Sequence, residues 1–152
     1  MAEILIHKIK VTKNGVSIIY DDPAFSGEPD GVAREGKGEA RPSFYKAMNA
    51  LRDNVINICL LDPNGWDAAE ITGVTLKHLD GDIGVVITAQ NKNEELASPI
   101  NINTPYLIAD QELKAKLERV QAEARDYLNG KRAQVSLFDE DVLNVREEAL
   151  VN

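Results

Sequence analysis

Acidic side chains are the first candidates for chemistry in this chain, because carboxylates are the ligands that hard divalent cations prefer. They gather at two places, Asp21-Asp22 with Glu28 and Asp30, and Asp62, Asn64, Asp67 and Glu70. Neither group has the central glycine and the twelfth-position glutamate of an EF-hand loop. We therefore interpret both groups as solvated turns, and we expect neither a metal site nor a cofactor.

The two histidines and the one cysteine form no metal or catalytic motif. His7 and His78 lie in predicted strands, and the sequence contains no His-x-His, His-Glu-x-x-His or Cys-x-x-Cys spacing. Cys59 falls beside the apolar face of a predicted helix, which indicates a buried, unreactive thiol. Nucleophile elbows and phosphate-binding glycine loops are absent from the sequence as well. We predict no catalytic residue, and the sequence favours a protein that is not an enzyme.

The strongest chemical signal is a binding signal near the C-terminus, the pentapeptide Gln134-Val135-Ser136-Leu137-Phe138. Two adjacent large apolar residues in a polar, acidic tail cost solubility, and insertion into a pocket explains them best. That pocket could belong to this protein's own domain or to another protein. The pentapeptide resembles the short peptides by which polymerases and repair proteins dock on the bacterial sliding clamp. The resemblance implies that Leu137 and Phe138 are the pocket anchors and that Gln134 forms hydrogen bonds at the rim, while Val135 replaces the more usual leucine.

A wider resemblance places the chain near uncharacterised small phage and prophage proteins. It is carried by the segment from Tyr127 to Phe138, by Ile102-Asn103-Thr104-Pro105, and by the hairpin near Gly73 and Gly84. This resemblance implies a phage setting, beside replication or recombination functions, and assigns no activity.

Length and composition predict one domain with a short appendage. The chain has 152 residues and is 43% hydrophobic, which is enough for a core. It contains no apolar run long enough for a membrane span, and Met1 to Ile6 lack the features of a signal peptide. With one cysteine, no internal disulfide is possible. We expect a cytoplasmic protein of a bacterial host cell.

The charge balance argues against broad nucleic-acid binding. The chain has 25 acidic and 17 basic residues, a formal net charge of −8, and only 5% aromatic residues. Such a field repels phosphates over about 8 Å at physiological salt. Direct binding of nucleic acid is therefore not expected, although an acidic surface could itself imitate nucleic acid.

The hydrophobic pattern predicts two hairpins and two amphipathic helices. Alternation predicts strands over 3–11 and 16–21, joined by Asn14-Gly15, whose residues tolerate positive φ. Helical spacing then predicts a helix from Ser43, a possible N-cap, to about Leu61. A second pair of strands covers 71–79 and 83–89 around Asp80-Gly81. A final helix covers 110–129, with Asp110 as its cap and Gly130 as its C′ residue.

These elements give an α+β fold in the order ββαββα, a two-layer domain in which two hairpins form one antiparallel sheet and two helices cover one face. The domain spans residues 1–130 and includes a predicted mobile loop over 22–40 and a second connection over 91–107. Residues 131–152 form the tail. We interpret Trp66 as a lid over the sheet edge, with an exposed anchor for a partner as the alternative.

Three functions remain open from the sequence. The first is a non-enzymatic, phage-type interaction protein that docks on the host sliding clamp through residues 134–138. The second is an acidic inhibitor of a host defence or DNA-processing protein. The third is a small-ligand-binding protein or enzyme with the loops over 22–40 and 91–107 as lids. The sequence does not distinguish recruitment from inhibition and does not define the oligomeric state.

Overall fold

The computed structural model describes residues 4–21, 32–92 and 97–130. Seven strands and four helices lie in these ranges: β1 (Leu5–Val11), β2 (Gly15–Asp21), β3 (Val32–Lys37), α1 (Pro42–Asn49), α2 (Arg52–Ile58), α3 (Pro63–Trp66), β4 (Glu70–Leu79), β5 (Asp82–Asn91), β6 (Ile100–Asn103), β7 (Leu107–Ile108) and α4 (Gln111–Leu128). The predicted α+β class is confirmed. The predicted order ββαββα is not reproduced, because the chain forms further strands after each hairpin.

All strand pairs in the described sheet are antiparallel, in the order β3-β2-β1-β4-β5-β6, with β7 also pairing with β5. Two local meanders make up this sheet, one from β1 to β3 and one from β4 to β7. They meet where Lys8, Ile9 and Lys10 of β1 pair with Thr75, Val74 and Gly73 of β4. The hydrophobic pattern therefore predicted the pairing within hairpins but underestimated the width of the sheet.

The first hairpin is confirmed, but its glycine has a different role from the predicted one. Gly15 begins β2, and it does not have a positive φ angle. The turn is closed by the Thr12 amide, which donates to the Gly15 carbonyl oxygen at 2.9 Å. A Cβ atom at Gly15 would overlap the backbone of Gly36 in β3 and approach the hydroxyl of Tyr127. Glycine is required here because the neighbouring backbone lies so close.

The loop predicted over 22–40 is wrong in its second half. Residues 32–37 form β3, which pairs along β2 from Val32 opposite Tyr20 to Lys37 opposite Gly15. Its glycine and charged residues hide the strand in the sequence, because an edge strand tolerates both. Residues 22–31 lie outside the described parts of the chain.

The helix predicted from Ser43 to Leu61 is divided into α1 and α2. Between them the Leu51 amide donates to the Met48 carbonyl oxygen at 3.0 Å, a tighter turn than the α-helical one. Asn49 at the end of α1 accepts a hydrogen bond at 2.9 Å from the Ile71 amide at the start of β4. The apolar stripe runs through the break, since Met48, Leu51 and Val55 are all buried.

The ends of these helices also differ from the prediction. Ser43 does not cap α1: the cap position is Arg41, which makes no side-chain cap bond, and the Ser43 hydroxyl donates to Glu123 in α4. After α2, Leu60 has a φ angle of 54° and the Leu61 amide donates to the Ile56 carbonyl oxygen at 2.9 Å. This is the closing bond of a helix that ends on a left-handed residue.

The second hairpin is confirmed, with Gly81 in its turn at a φ angle of 80°. The connection predicted over 91–107 is partly wrong, because β6 and β7 lie within it or at its end and both pair with β5. Ile100-Asn101-Ile102-Asn103 does alternate, but it is too short and polar to be recognised between two prolines. Residues 93–96 lie outside the described ranges.

The last helix is confirmed at both ends. Asp110 caps α4 by accepting a hydrogen bond from the Leu113 amide at 2.8 Å. Its C-terminus closes at Gly130, which has a φ angle of 92° and donates to the Tyr127 carbonyl oxygen at 3.0 Å. Leu113 and Leu117 face the core along the predicted stripe.

One core cluster joins the helices to a single face of the sheet. Ile9, Val74 and Ile87 on the strands pack in the same buried cluster as Phe44 of α1 and Leu117 of α4. The strand residues between these core positions point to the other face of the sheet, and they are mostly polar and more exposed. No described helix covers that second face. We call this second face the open face.

Candidate functional site

The predicted docking peptide, Gln134 to Phe138, lies outside the residues that the structure describes. What the structure defines is the point from which the tail departs. At the end of α4 the Asn129 amide donates to the Arg125 carbonyl oxygen at 3.0 Å, and Gly130 turns out of the helix. A chain that ends at Gly130 therefore retains every described element.

A cavity of about 340 Å³ lies between α4 and one end of the sheet. Its lining residues are both polar and apolar: Leu5, His78, Ile83, Glu118, Gln121 and Arg125. The three α4 residues are spaced by three and four positions, so they lie on one side of the helix. The cavity thus offers a carboxylate, an amide and a guanidinium along one wall, which suits a small polar ligand better than two large apolar side chains.

Gln121 is the buried polar residue of this cavity. It is only 4% exposed, and its side-chain amide donates to the Leu117 carbonyl oxygen at 3.3 Å. A glutamine within the apolar stripe of α4 is the one sequence signal for this cavity, and Gln121 was not among the predicted site residues. The remaining lining residues come from β1, β4 and β5, and no local motif connects them.

Beside the cavity, two histidines lie close together. His7 bonds to the Asp21 carboxylate through Nε2 at 2.7 Å, and His78 bonds to the Ile6 carbonyl oxygen through Nε2 at 2.7 Å. Both partners are acceptors, so the Nε2 atom of each ring donates. The ring centroids are 5.8 Å apart in an edge-on arrangement.

The turn interpretation holds for Asp62 but is wrong for Asp21, which is the last residue of β2. Asp62 accepts a hydrogen bond at 3.1 Å from the Asn64 amide and thereby caps α3. Asp21 is bound to His7. Among the described residues, no group of three or more histidine, cysteine or acidic side chains is arranged to hold a metal ion.

Cys59 and Trp66 both lie at the margin of the core. Cys59 is a free, partly buried cysteine, and burial raises the pKa of its thiol, which disfavours the reactive thiolate. Trp66 is partly buried in α3 and packs against the core cluster. Cys59 is therefore less buried than the sequence indicated, and the lid over the sheet edge stays a prediction for Trp66.

The net charge is not distributed evenly along the chain. The described residues contain 14 basic and 14 acidic side chains, so this part of the protein is formally neutral. The remaining residues contain 3 basic and 11 acidic side chains, which accounts for the whole net charge of −8. Six of these eleven acidic residues nevertheless belong to residues 1–130: Glu3, Asp22, Glu28, Asp30, Glu94 and Glu95. The domain over 1–130 therefore keeps a formal net charge of −6, and the tail carries the remaining −2.

No protein-family model, curated protein or solved structure matches this chain. In the ranges that the structure covers, no helix is both long and apolar enough to cross a bilayer.

Proposed function

We propose that this protein is a non-enzymatic interaction protein that docks on the bacterial sliding clamp through Gln134, Val135, Ser136, Leu137 and Phe138. The observation that carries the proposal is the pentapeptide itself, with its adjacent leucine and phenylalanine in a polar tail. Its position supports the proposal, because it follows the closed end of α4 by only a few residues.

The composition of the domain also supports a role for the tail outside it. The described core is closed by its own residues, with Phe44, Leu117 and Tyr127 all at most 1% exposed. The cavity beside α4 has Glu118, Gln121 and Arg125 along one wall, so it is a poor receptor for two large apolar side chains. A cleft on another protein is the better destination for these two side chains.

The expected affinity of the peptide is modest. Burying a leucine and a phenylalanine contributes roughly 1.5–3 kcal/mol each. Ordering the flanking backbone and side chains opposes this gain, so such peptides bind weakly on their own. A hydrogen bond from Gln134 at the rim of the cleft would fix the register of the peptide.

The test is a titration of purified sliding clamp with the full chain and with a double variant, Leu137→Ala with Phe138→Ala. We expect the double variant to lose clamp binding while it keeps the far-ultraviolet spectrum and melting temperature of the parent. The matched control is Leu150→Ala with Val151→Ala, which removes a second adjacent apolar pair from the same tail. If the first double variant binds as tightly as the parent, the proposal fails.

The biological setting is part of the same proposal. The resemblance to phage and prophage proteins supports a cytoplasmic role in a bacterial host, either recruiting the clamp or competing with host proteins for it. Affinity purification with the full chain and with a chain ending at Gly130 separates a tail partner from a domain partner. Recovery of the clamp by both chains would place the contact on the domain and contradict docking by the tail.

The cavity supports a second candidate, a small-ligand-binding function of the domain. Glu118 and Arg125 present opposite charges on one side of α4, with Gln121 between them. A native mass spectrum of the purified chain tests this candidate, because a bound polar molecule would add its mass and Gln121→Leu would remove it. A spectrum that shows only the bare chain, before and after incubation with a panel of small polar metabolites, would count against it.

A further inference from the structure

The open face carries a cluster of three exposed lysines. Lys8 and Lys10 on β1 and Lys77 on β4 are all exposed. Among the described residues, none of the three forms an ion pair. Glu70 lies at the start of β4, away from the cluster, and pairs with Lys92 at 4.0 Å.

The strand register fixes the spacing of the three lysines. Lys8 and Lys10 are two positions apart on one strand, which separates them by about 6.8 Å. Lys8 pairs with Thr75, so Lys77 is its diagonal neighbour across the strands, at about 7–8 Å between Cα atoms. These separations are comparable with the distance between successive phosphates in an extended nucleic-acid strand.

An exposed aromatic ring continues the same row. Tyr106 is 53% exposed, and a Cβ atom at Gly84 would overlap its ring. Because Gly84 pairs with Lys77, the tyrosine lies next to the last lysine of the cluster. Glycine at this position lets the ring lie close to the backbone of the sheet.

Polar side chains cover the neighbouring strands of the open face. Thr88 donates to Asn103 at 2.6 Å, and Gln90 donates to Asn101 at 3.1 Å. These groups are exposed and retain further capacity to form hydrogen bonds. The open face thus combines cations, a ring and amides, which are the three kinds of group that bind phosphates, base faces and base edges.

We infer that the open face binds single-stranded nucleic acid, with Lys8, Lys10 and Lys77 on consecutive phosphates and a base stacked on Tyr106. This inference is independent of docking by the tail. It departs from the expectation drawn from the sequence, because the net charge of −6 over residues 1–130 does not show that three lysines lie together on one face. An acidic protein surface would also suit the lysines, but it would not require an aromatic ring beside them.

The test is a fluorescence-anisotropy titration of the full chain with a short labelled oligothymidylate at two salt concentrations. When the logarithm of the affinity is plotted against the logarithm of the salt concentration, three phosphate contacts give a slope of about −2. The affinity should therefore fall about twentyfold between about 50 and 200 mM salt. Lys8→Gln with Lys77→Gln leaves one contact, and the same change in salt then costs only about threefold. Tyr106→Leu weakens binding at least about fivefold without changing the slope.

The matched control removes two charges elsewhere on the domain, Lys46→Gln with Arg119→Gln, at exposed positions of α1 and α4. The control is expected to keep the salt slope of the parent. The charge-conserving variant Lys8→Arg with Lys77→Arg is expected to keep it as well. Failure of the parent to bind at low salt, or an equal loss in the control, would overturn the inference. An oligoglutamate that competes equally well, with no effect of Tyr106→Leu, would instead identify an acidic protein partner and overturn it too.

Binding by the tail and binding by the open face can be distinguished in one set of samples. Leu137→Ala with Phe138→Ala should leave oligothymidylate binding unchanged, because the pentapeptide is not part of the open face. Lys8→Gln with Lys77→Gln should leave clamp binding unchanged. If the tail variant abolishes oligothymidylate binding, the assignment of that binding to the open face is wrong.

Discussion

Removing the hydroxyl of Tyr127 should destabilise the domain without changing its shape. Tyr127 is 1% exposed, and its hydroxyl donates to the Gly38 carbonyl oxygen at 2.7 Å. The Tyr127 hydroxyl oxygen also accepts a hydrogen bond at 3.3 Å from the Val16 amide. One side chain at the end of α4 thus connects to β2 and to the residue that follows β3.

The magnitude follows from these two bonds. Tyr127→Phe keeps the ring but removes both, and each bond contributes about 1 kcal/mol net. The Val16 amide then remains buried without this partner, which adds to the cost, whereas Gly38 is exposed and its carbonyl oxygen can accept from water. We expect a loss of about 2–3 kcal/mol in the free energy of unfolding, and a melting temperature lower by roughly 5–10 °C for a chain of this size.

Urea unfolding followed by circular dichroism measures this difference, with thermal melts as a second readout. The control is Tyr45→Phe, which removes a single, partly buried bond, from the Ala40 amide at 3.1 Å. We expect a loss of about 0.5–1 kcal/mol for the control. A Tyr127→Phe domain within about 0.5 kcal/mol of the parent, or less affected than the control, would refute the account of how the end of α4 is held.

Two further predictions concern the end of α2. Leu60 is 90% exposed with a φ angle of 54°, so Leu60→Gly removes backbone strain at little cost in packing. In urea titrations, this variant should have a free energy of unfolding about 1 kcal/mol higher than the parent. A destabilised variant would show that the backbone of Leu60 is not strained. Because burial raises the pKa of Cys59, alkylation by iodoacetamide at neutral pH should be slower in the native chain than in urea. The native rate should continue to rise above the pH at which the rate of the unfolded chain levels off, and equal rates would show that the thiol is not protected.

The sequence predicted best the elements whose pattern and ends agree. α4 has a continuous apolar stripe, a capping Asp110 and a terminal Gly130, and the structure reproduces all three. The two hairpins were predicted because alternating residues flank short turns, although Gly15 serves close backbone approach rather than a positive φ angle.

The errors arise where tertiary pairing overrides local preference. β3 contains charged residues and Gly36, which favour a loop in isolation, and it is a strand because β2 offers an unpaired edge. The break between α1 and α2 leaves the apolar stripe continuous, so hydrophobic spacing could not detect it. At the break, the side chain of Asn49 accepts a hydrogen bond from the Ile71 amide, a tertiary contact that the sequence does not show.

The cavity was beyond sequence reasoning for a geometric reason. Its residues span from Leu5 to Arg125 and meet only because β1 and β4 pair at the centre of the sheet. The open face was equally hidden, since Lys8, Lys10 and Lys77 are ordinary solvent-facing residues until the register places them side by side. Composition gave the correct net charge but could not show on which segments that charge lies.

The junction between the two meanders has a consequence for cooperativity. Each meander supplies only half of an apolar surface, and both halves belong to one buried cluster with α1 and α4. If either meander separated from the rest, it would expose the apolar faces of α1 and α4, which also cover the other meander. The two meanders are therefore not independent folding units, and the described domain should unfold in a single cooperative transition.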